Sequence, residues 1–265
     1  ILAPRLISQN YKSNYIEIED LNNKKILKKF QKKSINKKIY YKKIINLLIS
    51  IKNIKTKYQK TFLKTNYKVP DYSLKKLLDE SNLFLDWYLP KYVKRGKSRI
   101  LKIKFNKIFK KLLNNIYYKN KVFVHRDFHI SNLMITKKGL GLIDSQDAVY
   151  GNIAYDLASL IDDVRFKTDI KTKKYIFDEF IKKNKQLNLK KFKNDFEILS
   201  VLRNLKIIGI FTRLSERDKK NKYLKLIPHA WELIDYRTLN NPIFKDLKYL
   251  LSKNFDRKIR KSYEN

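Results

Sequence analysis

Three residues between Val122 and Leu160 have the types and spacing to do chemistry together: Asp127, Asn132 and Asp144. The stretch runs VFVHRDFHISNLMITKKGLGLIDSQDAVYGNIAYDLASL. A carboxylate such as Asp127 can accept the proton of an attacking hydroxyl. The amide oxygen of Asn132 and the carboxylate of Asp144 are hard oxygen ligands, suited to holding a magnesium ion against phosphate oxygens. Phosphoryl transfer calls for such a set, because it asks for positioning and charge neutralisation more than for covalent work. The elements that must position these residues can be read from the same stretch. Val122-Phe123-Val124 is a β-branched and aromatic run of the buried-strand type. Leu133-Met134-Ile135 predicts a strand, Lys137-Lys138-Gly139 a tight turn, and Leu140 to Ile143 the returning strand, with Asp144 at its end. Short strands around one hairpin would bring the three side chains to one end.

His125-Arg126-Asp127 followed by Asn132 matches the H-R-D-x-x-x-x-N catalytic loop of protein kinases. A chance string in a Lys- and Asn-rich chain accounts for an isolated His-Arg-Asp. It does not account for loop, hairpin and second Asp in order. After Asp144 the chain departs from protein kinases, which would show D-F-G, a long activation segment and A-P-E. Here Asp144-Ser145-Gln146-Asp147-Ala148 leads through Gly151 to Tyr155-Asp156-Leu157-Ala158, an immediate helix start. This pattern resembles the aminoglycoside phosphotransferase and choline kinase family of small-molecule kinases. Within it, IDSQDAVYG and YDLASLIDD look most like the bacterial sugar kinases that phosphorylate N-acetylmuramate and N-acetylglucosamine at the anomeric hydroxyl. Leu83 to Tyr88 (LFLDWY) and Arg203 to Leu214 (RNLKIIGIFTRL) extend the likeness, which covers nearly the whole chain. Relatives usually carry an aromatic residue where Ser145 stands and proline where Asn152 stands.

The resemblance implies a kinase-like α+β fold, with a mostly helical C-terminal lobe built around the catalytic β-hairpin. It implies ATP and Mg2+ as cofactors, Asp127 as the base, and Asn132 and Asp144 as ligands of metal and nucleotide. NYIEIEDL, from Asn14 to Leu21, alternates apolar and polar residues like a strand. By its residues alone it is an ordinary edge strand. In the resembling kinases a strand in this place closes the small N-terminal lobe and runs into the hinge whose backbone binds adenine. The hinge would be Glu19 to Asn22, with Glu19 and Leu21 as nucleotide contacts. The expected division is residues 1–22 as the end of the N-terminal lobe and hinge, and 23–265 as the catalytic lobe. No Gly precedes Gly96, and few residues precede Tyr15. The phosphate-covering loop and the ATP-contacting Lys of the family are therefore expected upstream, the chain being read as N-terminally incomplete.

The acceptor implied is a hydroxyl of a small molecule, with an amino sugar first. An aminoglycoside or choline would keep the chemistry and change the acceptor. A non-catalytic basic module that binds nucleic acid or a protein partner is the alternative outside catalysis, and the intact Asp127, Asn132 and Asp144 speak against it.

The chain has 265 residues, enough to bury a core, and a hydrophobic fraction of 43% fits a globular protein. Lys and Arg number 62 against 25 Asp and Glu, a formal net charge of +37. Such a surplus can mark a nucleic-acid or anionic-membrane partner. Here the lysines are spread, not clustered with aromatics on one segment, and Lys, Ile and Asn are abundant together, as an AT-rich coding sequence produces. No specific nucleic-acid or membrane partner is expected. With no cysteine, disulfides and Cys-based metal sites are excluded. The longest apolar stretch, Ile44 to Ile51, is interrupted by Asn46 and Ser50 and falls short of a membrane span. No signal peptide is visible, so a cytoplasmic location is expected.

Along the chain, Ile1 to Asn10 reads as a lead-in segment, Asn22 to Asn53 as one or two amphipathic helices, and Lys52 to Val69 as polar loop. Ser73 is an N-cap for a helix to Trp87 that Pro90 ends. Asp86 could cap, pair with Lys91 or face the acceptor. Gly96 marks a break before a helix from Ile100 to Lys119 that turns Leu101, Ile103, Phe105, Ile108, Leu112, Leu113 and Ile116 inward. Further helices are predicted over Ala154 to Phe166, Ile170 to Lys185, Lys190 to Glu216, Lys222 to Thr238 and Pro242 to Asn254, with a frayed charged tail from Asp256. His125 is expected to brace the loop, Arg126 to neutralise nearby acidic groups or phosphate, and Asp147 to orient the loop or touch substrate. Asp156 stands near a helix start, where it would stabilise the N-terminus or tie the loop down. His129 has no visible partner, and Arg203 and Arg213 are expected at the surface.

Overall fold

In the computed structural model, alternating apolar residues and capping side chains set the elements, and all residues are described except 11, 22–23, 56–57, 61–64, 120–121 and 264–265. Strand β1 (Leu6–Asn10) pairs antiparallel with β2 (Tyr15–Ile18). Helices α1 (Ile26–Gln31) and α2 (Lys37–Lys52) follow. Asn36 caps α2 by accepting the Ile39 N–H, and Tyr41, Ile44, Ile45, Leu48 and Ile51 bury one stripe of it. Next come a hairpin of β3 (Tyr58–Lys60) and β4 (Asn66–Lys68), then α3 (Leu74–Ser81), a π-helical turn (Phe84–Tyr88), α4 (Leu89–Tyr92) and α5 (Arg95–Asn114). The central stretch forms β5 (Val122–Val124), β6 (Leu133–Thr136), β7 (Gly139–Leu142) and β8 (Val149–Gly151). Helices α6 (Tyr155–Ile161), α7 (Ile170–Lys182), α8 (Leu189–Glu216), α9 (Ile227–Thr238), α10 (Lys245–Asn254) and α11 (Arg257–Arg260) complete the chain.

The chain divides into two compact units. The first holds Ile1–Asp71 and Lys121–Leu187. In it β5 and β8 form an antiparallel ladder, with Val124 opposite Val149, and β6 and β7 form the hairpin expected, with Leu133 opposite Leu142. Gly139, at φ +128°, makes the turn possible, and Thr136 donates its hydroxyl to the Gly139 carbonyl. Helix α1 packs on β6 and α2 on α7. The N-terminal segment lies along the hairpin: Leu2 bridges to Gly141, Leu142 N–H donates to Leu2 O at 2.8 Å, and Ile135 N–H donates to Lys24 O at 2.9 Å.

The second unit holds Tyr72–Asn120 and Asn188–Asn265. Its 28-residue α8 packs against α9, α3, α5 and the π-helical turn. Phe84, Tyr88, Trp231 and Phe255 form an aromatic cluster with ring centroids 5.3 to 5.9 Å apart. LFLDWY and RNLKIIGIFTRL, both part of the sequence likeness, are the two halves of one contact, with Gly209 of α8 lying flat on the backbone of Leu83.

Several local expectations are corrected. The lead-in segment contains β1, which is paired through main-chain bonds that residue types do not announce. The polar loop contains β3 and β4, its remainder lying partly outside the described residues. Pro90 sits in the first turn of α4, which runs on from the π-helical turn, so the helical path continues to Tyr92 past the stop that was expected. Gly96 likewise lies in the first turn of α5, a helix that stops at Asn114, short of Lys119, and leaves Ile103 67% exposed. Asp86 pairs with Lys102 at 2.9 Å, not with Lys91, which pairs with Glu216. Arg203, expected outside, is 5% exposed because α8 is covered along this stretch. Asp256 caps α11 by accepting the Ile259 N–H, and Arg260 lies 4.6 Å from the Trp231 ring, so the tail start is packed, not frayed.

A Cβ on Gly209 would stand 2.3 Å from the Leu83 carbonyl carbon and 2.4 Å from its oxygen, so the backbone would have to move. Gly209→Ala is expected to cost about 1–3 kcal/mol or more, read as a lowered thermal midpoint by circular dichroism. An unchanged midpoint would show that the turn can yield without loss.

Candidate active site

The loop between β5 and β6 is held from below by one carboxylate. Asp156, in the first turn of α6 and 3% exposed, accepts the backbone N–H of His125 at 2.7 Å and of Arg126 at 3.0 Å. This is the tying role expected of Asp156, and it fixes where Asp127 leaves the strand. Arg126 adopts φ +72°, a left-handed conformation that a long side chain seldom takes. Its guanidinium reaches Asp147, donating to the carbonyl at 3.1 Å and lying 3.7 Å from the carboxylate, so Arg126 does lie beside an acidic group. The Asp127 carbonyl accepts two bonds, from His129 N–H at 2.9 Å and from the Asn132 side-chain amide at 3.1 Å.

Asn132 ends a 3-10 turn (Ile130–Asn132) and is 9% exposed. Its amide donates to the Asp127 carbonyl and also to Asp144 Oδ2, at 3.3 Å. Its two protons are thereby committed, and Oδ1 is the atom left to meet a cation. Asp144 follows β7 with φ +72°, and its position is closed by Ile143 N–H donating to Asn132 O at 3.1 Å. Gln146 donates its amide to Asp144 Oδ1 at 2.7 Å. Asn132 and Asp144 fit the donor set of a magnesium ion, which takes one or two protein oxygens and completes six-coordination with water and substrate phosphates.

A cleft of about 600 Å³ brings Glu19, Leu21, Asn132 and Asp144 together. Asp20 and Gln146 add polar lining, and Pro4, Ile18, Met134 and Ile143 supply the apolar part. Asp127 is outside this lining and joins it through its carbonyl bond to Asn132. Glu19 N–H donates to Arg5 O at 2.8 Å, and the Glu19 carboxylate accepts from Arg5 Nε at 3.2 Å. That bond holds the Glu19 carboxyl below its usual pKa. Leu21 rests on the hairpin, where a Cβ at Gly141 would lie 2.8 Å from its Cδ1. Asn22, the last residue of the expected hinge, lies outside the described residues.

The neighbouring residues divide in the same way. His129 does have a partner, its Nδ1 lying 2.8 Å from Ser131 Oγ. Asn152 is 4% exposed and accepts the Ala154 N–H at 2.8 Å, a side-chain turn that leads into α6. Sequence reasoning assigned no role to Gln146 or to the apolar lining. The only signal for Gln146 was an amide two positions beyond Asp144.

His125 is 1% exposed and meets Phe128 edge-on at 6.4 Å. Burial pulls its pKa below the usual value, against the opposing pull of the Asp127 and Asp144 charges and of the Ile143 and Asp127 backbone. The folded chain therefore binds this proton less well than the unfolded chain, whose histidine titrates near about 6.5. The resulting stability is present above that pH and is lost as pH falls toward the lower folded value. Urea midpoints of the wild type should drop between about pH 7.5 and 5.5, and His125→Phe should shrink that drop. An identical drop in the variant would remove His125 as its source.

Residues 64–181 match the model of the phosphotransferase enzyme family. The chain is 36% identical over 169 residues to the N-acetylmuramate/N-acetylglucosamine kinase of Neisseria meningitidis, covering 60% of this chain and 50% of that one. It is 28% identical over 190 residues to the enzyme of the same name from Pseudomonas aeruginosa, covering 69% of this chain and 56% of that one. The chain thus spans about half the length of the curated relatives it matches. Among solved structures, the choline kinase of Streptococcus pneumoniae superposes with a TM-score of 0.57 at 12% identity, over 87% of this chain and 75% of that one. A Plasmodium vivax ethanolamine kinase gives 0.60 at 12% identity, over 92% and 70%. These superpositions establish the kinase-like α+β fold, and the family resemblance read from the sequence is borne out.

Proposed function

We propose that this chain, a relative of the phosphotransferase enzyme family, transfers the γ-phosphate of ATP to a hydroxyl of a cytoplasmic amino sugar of the N-acetylmuramate and N-acetylglucosamine class. The observation that carries the reading is the bonding of Asn132 to both Asp127 and Asp144, beside a cleft that also holds Glu19 and Leu21. The main chain of Glu19 and Leu21 would hold adenine, with Ile18 and Met134 as apolar lining. Asn132 Oδ1 and Asp144 would hold magnesium, which when bound neutralises the phosphate oxygens. Asp127 takes the proton of the acceptor hydroxyl as that oxygen attacks the γ-phosphorus. The bond from phosphorus to the ADP oxygen breaks, and the proton rests on the Asp127 carboxyl. The relatives' names supply the acceptor class. The net charge of +37 favours a neutral or anionic sugar over a polycation, since like charge opposes approach.

In the full-length protein, Asp127→Asn should lower turnover by on the order of 10²-fold or more at near-normal nucleotide affinity, because the base acts in the transition state. Asp144→Ala should weaken both magnesium-nucleotide binding and rate, since a metal ligand acts in ground and transition states. Initial rates with isothermal titration of a non-hydrolysable nucleotide separate the two patterns, and wild-type behaviour of either variant would strip that residue of its role.

The acceptor is tested by supplying ATP and magnesium with N-acetylmuramate, N-acetylglucosamine, choline or kanamycin in separate reactions. At least one amino sugar is expected to be phosphorylated at its anomeric hydroxyl. Efficient use of choline or kanamycin, with neither sugar touched, would overturn the acceptor class and leave the phosphoryl-transfer chemistry standing.

A further inference from the structure

Asp144 offers two carboxylate oxygens, and a side-chain amide reaches each: Asn132 at 3.3 Å on Oδ2 and Gln146 at 2.7 Å on Oδ1. The Gln146 bond is the shorter by 0.6 Å. Asp144 is exposed, at φ +72°, and stands outside every regular element two residues past the end of β7, so no ladder fixes its carboxylate plane. Gln146, by contrast, stands on a pinned support. Ala148 N–H donates to Ser145 O at 3.1 Å, closing a turn that contains Gln146, and Arg126 donates to the Asp147 carbonyl at 3.1 Å. Gln146 also lines the cleft beside Asn132 and Asp144.

We infer that Gln146 is a positioning residue for the metal: its amide holds the Asp144 carboxylate in the orientation a magnesium-nucleotide complex needs. The inference rests on the reading of Asn132 and Asp144 as the metal-holding pair. Outer partners that orient a ligating carboxylate commonly carry 10–100-fold in metal affinity, because without them the carboxylate must be ordered at the moment of binding. Gln146 is exposed and lies outside every regular element, so its removal should not cost the fold.

The experiment is a Mn2+ titration, followed by electron paramagnetic resonance in the presence of a non-hydrolysable ATP analogue, on the wild-type protein and on Gln146→Met. The variant keeps the length of the side chain and loses the donor. Its Kd for Mn2+ is expected to rise about 10-fold or more, with an unchanged thermal midpoint. In the acceptor assay KM for magnesium-ATP should rise while kcat at saturation falls by less than about threefold, since the lost interaction serves binding of the complex. Equal Mn2+ affinity in both proteins would overturn the role of Gln146 and leave the metal pair intact. A lowered thermal midpoint with unchanged affinity would make Gln146 merely structural. Absence of Mn2+ binding by the wild type, even with nucleotide, would overturn the metal pair and this inference together.

Discussion

The Asp156 carboxylate is the constraint on which the site depends. Two adjacent N–H groups, of His125 and Arg126, point at its two oxygens inside the protein. Both donors are fixed by the main chain, and N–H bonds to a carboxylate are stronger than those between neutral groups. Without it, the buried His125 N–H would be left unsatisfied at a cost of about 1–3 kcal/mol, and the half-buried Arg126 N–H would lose its partner as well. Strand β5 ends, α6 begins and the loop turns, all at this one carboxylate. The placement of Asp127 follows from it rather than from any bond that its own side chain makes.

The rest of the site spends that rigidity on strain. Arg126 and Asp144 both take φ +72°, which costs on the order of 1–3 kcal/mol for a residue with a side chain. Each is held by bonds on both sides: Arg126 by Asp156 and Asp147, Asp144 by Asn132 and Gln146. The consequence is that both oxygens of the Asp144 carboxylate are held by side-chain amides. Preorganisation of this sort lowers the ordering that binding would otherwise require.

Much of this was legible in the sequence where a residue's role follows from its chemical type and its neighbours. Asp127, Asn132 and Asp144 could be named from spacing, and the hairpin from Leu133 to Leu142 from its apolar runs and Gly139. Asp156 could be named from its place at a helix start. What stayed hidden depended on contacts made at a distance or on local geometry that composition does not encode. Pro90 and Gly96 read as breakers, yet the helical path continues past Pro90, and Gly96 sits in a first helical turn. Arg203 read as a surface residue because a guanidinium usually is, and only the packing of α8 on all sides buries it. Strand β1 is recognisable only through its partner β2. Gln146 carries no periodicity, cap or turn signal at all, and its bond to Asp144 exists only once the turn from Ser145 to Ala148 has closed.

The charge of the chain shows why such a site can persist inside so biased a composition. Lys and Arg number 62 against 25 Asp and Glu, and exposed ion pairs such as Lys75–Asp79 and Lys174–Asp178 contribute roughly 0–1 kcal/mol each. At physiological ionic strength these charges are screened over about 8 Å. The site works at 2.7 to 3.3 Å, between groups fixed by backbone bonds, where screening is slight. Positive charge on the surface therefore bears on solubility and the approach of anions far more than on the bonds around Asp144. The carboxylates of Asp144 and Asp156 accept bonds that a lysine ammonium, which only donates, cannot accept. The composition could move around them while the donors and acceptors of the cleft stayed as the chemistry requires.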